Sequence, residues 1–263
     1  MNGKVRLVLL LTVVFTLCSA MIADAVPDTQ FTNSIGMEFV LVPAGSFQVV
    51  TGKNEFDEDV FSRASISKPF YLGKYPVTQE QWAAVMGSNP AQFKGRHNPV
   101  EMVSWNDVQE FIRRLNAKEG HNRYRLPTEM EWELAARGGT NTKYFFMEDP
   151  KTWEKAEGLL ADYAWFRGNA RETTQPVGQK KPNPYGFYDI YGNVFEWVQD
   201  WYADLPKTPE MIDYRGPETG VSRVNRGGSW FYAAKLSRSD HRDYDKPDFR
   251  DTDLGFRLAL SPE

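Results

Sequence analysis

The chain has 263 residues, which is enough to bury the core of one large domain, although length alone also permits two. A hydrophobic content of 41% and an aromatic content of 14% exclude a disordered chain. The net charge of −4 gives no basic surplus, so nucleic acid is not expected as a partner.

The first 25 residues predict a signal peptide. Lys4 and Arg6 form a short positive region, and residues 7–17 are an apolar run. Ala23-Asp24-Ala25 then has the small-x-small pattern of a cleavage site. The sequence therefore predicts an exported protein, periplasmic or secreted, with no transmembrane segment after cleavage.

Two alternatives to a cleaved signal stay open. The apolar run extends to Ile22 and is almost long enough to act as a membrane anchor. Cys18 would allow a lipid anchor, although Leu17 is bulkier than the small residue that usually precedes a lipidated cysteine. Cleavage after residue 25 would remove Cys18, the only cysteine of the chain. The mature protein would then have neither a thiol nor a disulfide.

Three capping boxes predict three helices. In each box a Ser or Thr is followed three residues later by Gln, Asp or Glu. The boxes are Thr78–Gln81, Ser104–Asp107 and Thr128–Glu131, and the glycines that end the helices are Gly87, Gly120 and Gly138. The predicted helices therefore span residues 79–86, from Ser104 to near Gly120, and from Thr128 to about Arg137.

The remaining pattern is that of short strands and long loops. Residues 39–47 predict a strand, a turn and a second strand, and residues 68–77 predict a further strand. Residues 140–179 predict packed loops with a short helix near 149–158. No repeat or linker divides residues 30–263, which predicts a single α+β domain over that range. We expect it to be loop-rich, with short antiparallel strands and three short helices.

Glycine and large aromatic residues are mixed without helical or strand periodicity in four blocks. These are residues 183–189, 192–197, 226–230 and 255–257. Such blocks suit tight backbone bends packed under aromatic rings. They resemble the sulfatase-modifying-factor family, whose best-known member is the formylglycine-generating enzyme, and the likeness extends from about Asn33 to Leu260. The resemblance implies a C-type-lectin-like fold.

Asp189 and Glu196 are seven residues apart with a glycine between them. Carboxylate and carbonyl oxygens are the ligands that Ca²⁺ prefers. The alternative is that Glu196 pairs with an arginine and Asp189 caps a turn. The family resemblance implies a structural calcium ion bound by the side chains of Asp189 and Glu196 and by the carbonyls of Gly192 and Val194.

The resemblance also implies a copper-binding cysteine pair between the 226–230 block and the 255–257 block. In this chain Tyr232 lies near the place of the first cysteine, and the second has no counterpart. Soft thiolate ligands select Cu(I), and neither tyrosine nor serine replaces them. We therefore expect no copper and no formylglycine-generating activity, and no catalytic residue can be assigned.

Residues 238–253 are dense in charges and hydrogen-bonding rings. They predict either a solvated loop with weak ion pairs or a recognition surface. The resemblance favours recognition, because this region lines the family's substrate cleft. The candidate ligand-binding residues are Trp230, Tyr232, Ser237, Arg238, His241, Arg242 and Tyr244.

Three functions are compatible with these observations. The first is a calcium-stabilised binding or accessory protein whose C-terminal loops hold a peptide, a protein or a small molecule. The second is a cysteine-independent oxidoreductase, for example in peptide or siderophore-chromophore maturation. The third is a lectin-fold receptor diversified by a retroelement. The absent cysteines favour the first, because a fold supports many functions and the residues for oxidase chemistry are missing.

Overall fold

The computed structural model describes residues 29–147 and 153–261, with the backbone alone at 153 and 154. The predicted signal peptide and the start of the predicted short helix over 149–158 lie outside these ranges. Within them, no helix is both long and apolar enough to cross a membrane.

The three helices predicted from capping boxes are confirmed, as α1 (Gln79–Met86), α2 (Trp105–Glu119) and α3 (Glu129–Arg137). In each, the cap side chain and the side chain three residues later exchange hydrogen bonds with each other's backbone N–H. A glycine in the left-handed conformation follows each helix. A fourth helix, α4 (Trp153–Leu160), overlaps the predicted short helix, and Ala234–Leu236 form a 3₁₀ turn.

Short strands form three sheets in the part of the chain that the structure describes. In chain order the strands are β1 (Gln30–Thr32), β2 (Glu38–Val42), β3 (Gly45–Lys53), β4 (Asp59–Ile66), β5 (Phe70–Gly73), β6 (Tyr124–Arg125), β7 (Phe195–Trp201), β8 (Glu210–Ile212), β9 (Arg223–Arg226), β10 (Arg242–Asp245), β11 (Leu254–Phe256) and β12 (Ala259–Leu260). The sheets have the orders β1-β2-β5-β12-β6, β10-β9-β7-β11 and β3-β4-β8. This confirms a loop-rich α+β domain with short strands.

Most strand pairs are antiparallel, as predicted, but β4–β8 and β7–β11 are parallel. Both parallel pairs join strands that are far apart in the sequence, so long connections separate them. In the β7–β11 pair, Phe195 lies opposite Leu254 and Glu196 lies opposite Gly255. This register places the residues before and after β11 next to the start of β7.

The strand β7 lies between the two hydrophobic clusters of the core. Phe195 and Trp197 pack into one cluster with α2 and β11, and Val198 packs into the other with α3. Successive side chains of a strand point to opposite faces, which is why one strand serves both clusters. The four-stranded sheet around β7 is therefore held firmly on both faces.

Candidate functional site

A pocket of about 170 Å³ opens beside the four-stranded sheet, at β10 and the loop that leads to β11. Its lining residues are Phe195, Asn225, Tyr232, Asp243, Asp245, Phe249, Asp251, Asp253 and Leu254. We call it the acidic pocket, because four of these nine residues are aspartates. It lies within the C-terminal region in which ligand binding is predicted.

Strand pairing explains why the aspartates converge. Asp243 and Asp245 are two residues apart on β10, so their side chains share one face of the strand. Asn225 on β9 lies opposite Asp243, and its side chain joins the same face. Asp253 immediately precedes β11, and its carbonyl accepts a hydrogen bond from the backbone N–H of Phe195 at 2.7 Å.

The four carboxylates have hydrogen-bond donors but no cation. Asp253 accepts from the Ser229 hydroxyl at 2.5 Å, and Asp245 accepts from the Asn225 amide at 3.0 Å. Asp243 and Asp251 accept from the backbone N–H of the residue that follows each of them. Among the described residues, no arginine or lysine forms an ion pair with any of the four.

Burial raises two pKa values in the pocket, and no neighbouring cation among the described residues lowers them again. Burial raises the pKa of Asp253 to about 6, and repulsion from Asp251 and Asp245 adds to the effect. Burial likewise raises the pKa of Asp245 to about 6, with repulsion from Asp243 and Asp251. Above pH 6 the pocket therefore holds negative charge that the protein itself does not neutralise.

Aromatic rings form the rest of the pocket wall. Tyr232 and Phe195 meet edge to face with ring centroids 5.6 Å apart. Phe249 is 40% exposed, and Phe231, which packs against Tyr232, is 49% exposed. Burial first, and then the surrounding aspartates, raise the pKa of the Tyr232 phenol, so it is neutral at physiological pH.

Of the predicted ligand-binding residues, Tyr232 lines the acidic pocket. Trp230 is 7% exposed, and its indole N–H donates to the Thr252 carbonyl at 3.0 Å. The Tyr244 ring is half exposed and packs on Tyr202 with centroids 3.9 Å apart. Trp230 therefore supports the loop behind the pocket, and Tyr244 lies on the surface of β10.

The other predicted ligand-binding residues form internal contacts. Ser237 is fully buried, and Arg238 pairs with Asp240 at 2.5 Å. Arg242 makes a bidentate ion pair with Glu129 at 2.6 and 2.9 Å. Ligand binding by these three residues stays a prediction.

His241 is also largely enclosed. Burial first, and then the nearby Arg238 and Arg226, lower the pKa of His241 to about 4, so its ring is neutral at physiological pH. Its Nε2 atom is buried without a hydrogen-bond partner among the described residues. Ligand binding by His241 likewise stays a prediction.

The four aspartates of the pocket are not among the ligand-binding residues predicted from the sequence. Their spacing in the sequence is nevertheless informative. One residue separates Asp243 from Asp245, and one residue separates Asp251 from Asp253. In an extended chain that spacing places both members of a pair on one side. The sequence does not show that the two pairs face each other.

The predicted calcium ligands divide into two environments. Asp189 is buried, accepts from the Gly178 backbone N–H at 2.7 Å and from the Asn193 amide at 3.3 Å, and has no ion pair among the described residues. Burial raises the pKa of Asp189 to about 6. A cation beside Asp189 would relieve that cost, so this carboxylate fits a calcium site.

Glu196 is already neutralised. Its two oxygens accept from the Arg257 guanidinium at 2.7 Å each, and one also accepts from the Trp132 indole N–H at 2.7 Å. Across residues 29–147 and 153–261, no group of three or more His, Cys, Asp or Glu side chains is placed to hold a metal. A calcium ion at Asp189 would therefore depend on the carbonyls of Gly192 and Val194, with Glu196 shared with Arg257.

Comparison with known proteins gives the family. The chain matches the sulfatase-modifying factor enzyme 1-like domain over residues 24–262. It is 31% identical over 245 residues to the formylglycine-generating enzyme of Bos taurus, covering 88% of this chain and 61% of that enzyme. The protein therefore belongs to the sulfatase-modifying-factor family, which confirms the resemblance seen in the glycine-aromatic blocks.

Two further proteins resemble the chain over nearly their whole length. It is 33% identical to the chaperone protein LppX of Paenibacillus barcinonensis, covering 94% of this chain and 98% of that protein. The solved structure of Treponema denticola variable protein 1 has a TM-score of 0.79 at 33% identity, covering 90% of this chain and all of that one. The similarity to that solved structure confirms the C-type-lectin-like fold.

Proposed function

We propose that this protein is an exported binding or accessory protein that holds its ligand in the acidic pocket. The observation that carries the proposal is the pocket itself: Tyr232, near the place of the family's first cysteine, lies beside four aspartates that have no counter-ion in the described chain. A thiol-free wall of this kind suits recognition better than copper chemistry. The names of two similar proteins, a chaperone and a variable protein, also support a role other than oxidation.

Binding to arrayed peptides of defined sequence tests this function. The mature chain should retain a subset of peptides, and Tyr232→Ala should lose them, because the change removes the aromatic wall. Phe61→Ala is the matched control, since Phe61 is an exposed ring on β4, outside the pocket. Capture that is equally strong with Tyr232→Ala would contradict a binding role for the pocket.

Oxygen uptake and metal analysis separate this proposal from the oxidoreductase alternative. We expect no copper or iron in the purified mature chain and no oxygen consumption with cysteine-containing peptides. Substrate-dependent oxygen uptake, or a stoichiometric redox metal, would favour the enzyme and contradict the proposal. Conversion of a cysteine peptide to its aldehyde would overturn it directly.

We further propose that calcium stabilises the fold at Asp189. The ion would be held by the Asp189 carboxylate and the carbonyls of Gly192 and Val194, with Glu196 as the ligand it shares with Arg257. Its role would be structural, since bound calcium would offset the buried charge of Asp189.

Thermal unfolding in chelator tests the calcium proposal. Calcium at about 100 times its Kd stabilises a native protein by about 2.7 kcal/mol. For a domain of this size that corresponds to a rise in Tm of roughly 5–10 °C. Magnesium is the control, because its stricter octahedral geometry suits this irregular set of oxygens poorly. An equal Tm in calcium and in chelator would contradict the proposal that calcium stabilises the fold.

A further inference from the structure

The acidic pocket carries an excess of negative charge that the surrounding basic residues do not offset. The arginines nearest in sequence are engaged elsewhere: Arg242 pairs with Glu129, and Arg250 pairs with Asp107 at 2.7 Å. Arg226, on the neighbouring strand β9, pairs with Glu133 at 2.5 Å. Like charges confined without a partner are costly, and a cation entering from solvent relieves that cost.

The size of the pocket favours an organic cation over a bare metal ion. A volume of about 170 Å³ is far more than the roughly 10–15 Å³ that a cavity needs to hold one water molecule. Among the described residues, no group of three or more His, Cys, Asp or Glu side chains is placed to hold a metal ion, the four aspartates of the pocket included. The space suits a head group of several non-hydrogen atoms.

The walls of the pocket have the composition that recognises such a group. Phe195, Tyr232 and Phe249 present ring surface next to the carboxylates. Aromatic faces attract ammonium and guanidinium groups and also cover the methylene stem that carries them. A carboxylate pocket without rings would lack this second contribution.

A separate observation indicates that the ligand carries N–H donors. Asn225 is 1% exposed and lines the pocket, and its amide N–H donates to Asp245 at 3.0 Å. Its side-chain oxygen, however, is buried without a hydrogen-bond partner among the described residues. A buried acceptor left unpaired is destabilising, and a donor from the ligand would satisfy it.

We propose that the acidic pocket binds an alkylammonium or guanidinium group, donated by a lysine or arginine side chain of a peptide or by a free amine. The N–H groups of the ligand donate to Asp245, Asp253 and the Asn225 oxygen, and its stem lies against Tyr232. This inference rests on the proposed binding function and names the chemistry of its ligand.

Titration calorimetry at about pH 7.5 and low ionic strength tests the inference. The probes are N-acetyl-lysine methylamide, N-acetyl-arginine methylamide and cadaverine, with N-acetyl-norleucine methylamide as the neutral control. At least one cationic probe should bind, and the norleucine probe should not. Binding of the amino-acid probes alone identifies a peptide source, and binding of cadaverine alone identifies a free amine; either result supports the inference.

Charge-removing variants locate the binding. Asp245→Asn and Asp253→Asn should each lower the affinity for the cationic probe about tenfold, which corresponds to about 1.4 kcal/mol. Asp57→Asn is the matched control: it removes one aspartate charge from an exposed loop outside the pocket, and asparagine also tolerates its positive φ of 63°. It should change the affinity by less than about twofold. Thermal unfolding of each variant verifies that it is folded.

Two calorimetric results, and one from the peptide array, would overturn the inference. One is binding of the norleucine probe as strong as that of the cationic probes. The other is failure of every cationic probe to bind the folded protein. Tyr232-dependent capture of peptides that lack basic residues would also overturn it, while leaving the proposed binding function intact.

Discussion

The ion pair between Glu196 and Arg257 should be the most sensitive charged contact in the core. Glu196 is 1% exposed and Arg257 is fully buried. Besides its two bonds to Glu196, the Arg257 guanidinium donates to the carbonyls of Gly73 and Tyr188 at 3.0 Å each. One side chain therefore joins β5, the 183–189 block and β7, and it stays in place only while its charge is balanced.

Glu196→Gln perturbs this contact with little change of shape. It removes the negative charge and leaves the Arg257 guanidinium buried without a counter-ion. Removing one partner of a buried pair destabilises a protein by about 3–5 kcal/mol. With a urea m-value of roughly 2–3 kcal/mol/M, the unfolding midpoint should fall by about 1–2.5 M.

Urea unfolding followed by tryptophan fluorescence, in chelator and in calcium, measures the effect. If Glu196 stabilises the protein by pairing with Arg257, the free energy of unfolding falls in chelator as well as in calcium. Glu110→Gln is the control, because Glu110 pairs with Arg113 and Arg114 on the exposed face of α2, where solvent screens the charges, and its unfolding midpoint should stay close to that of the parent. A loss below about 1 kcal/mol for Glu196→Gln in chelator would refute the reasoning.

Two other substitutions have clear expected results. Asp253→Asn should stabilise the protein above pH 6, because the pKa of Asp253 is raised to about 6. Because its pKa is raised, the contribution of Asp253 to stability is fully present below the ordinary value of 3.8 and is lost as the pH rises through 6. In urea unfolding, the variant should gain roughly 2–3 kcal/mol in the free energy of unfolding at pH 8 and nothing at pH 3. An equal gain at both pH values would contradict this prediction. Gly192→Ala should be strongly destabilising, because φ is +75° and a Cβ would lie 2.2 Å from the Trp165 carbonyl oxygen. A Tm within about 2 °C of the parent would contradict this.

Features determined by local sequence could be predicted closely. The bounds of α1 follow from the capping box of Thr78 with Gln81 and from Gly87, since these contacts are all within ten residues. The glycine-aromatic blocks were sufficient to identify the family and, through it, the fold. No comparable local rule gives strand partners, and the parallel pairs β4–β8 and β7–β11 became visible only in the structure.

The candidate site could be predicted only in part, for the same reason. The family resemblance points to Tyr232, because this residue lies near the place of the family's first cysteine. Asp243 and Asp253 meet only because β10 pairs with β9 while β11 pairs with β7, and both partners lie in earlier parts of the chain. The pairing of Glu196 with an arginine was one of two alternatives from the sequence, but its partner, 61 residues away, was not identified.

The buried ion pair and the acidic pocket depend on the same strand. Asp253 immediately precedes β11 and Arg257 immediately follows it, so the register of β11 against β7 positions both side chains. At one end, Arg257 gains a fully paired contact with Glu196; at the other, Asp253 is kept beside like charges. Because packing and the ion pair fix the strand, Asp253 cannot move away to relieve the repulsion, and the pocket stays ready for a cation. A shift of β11 by one residue would reverse which side chains face the core, and both features would be lost together.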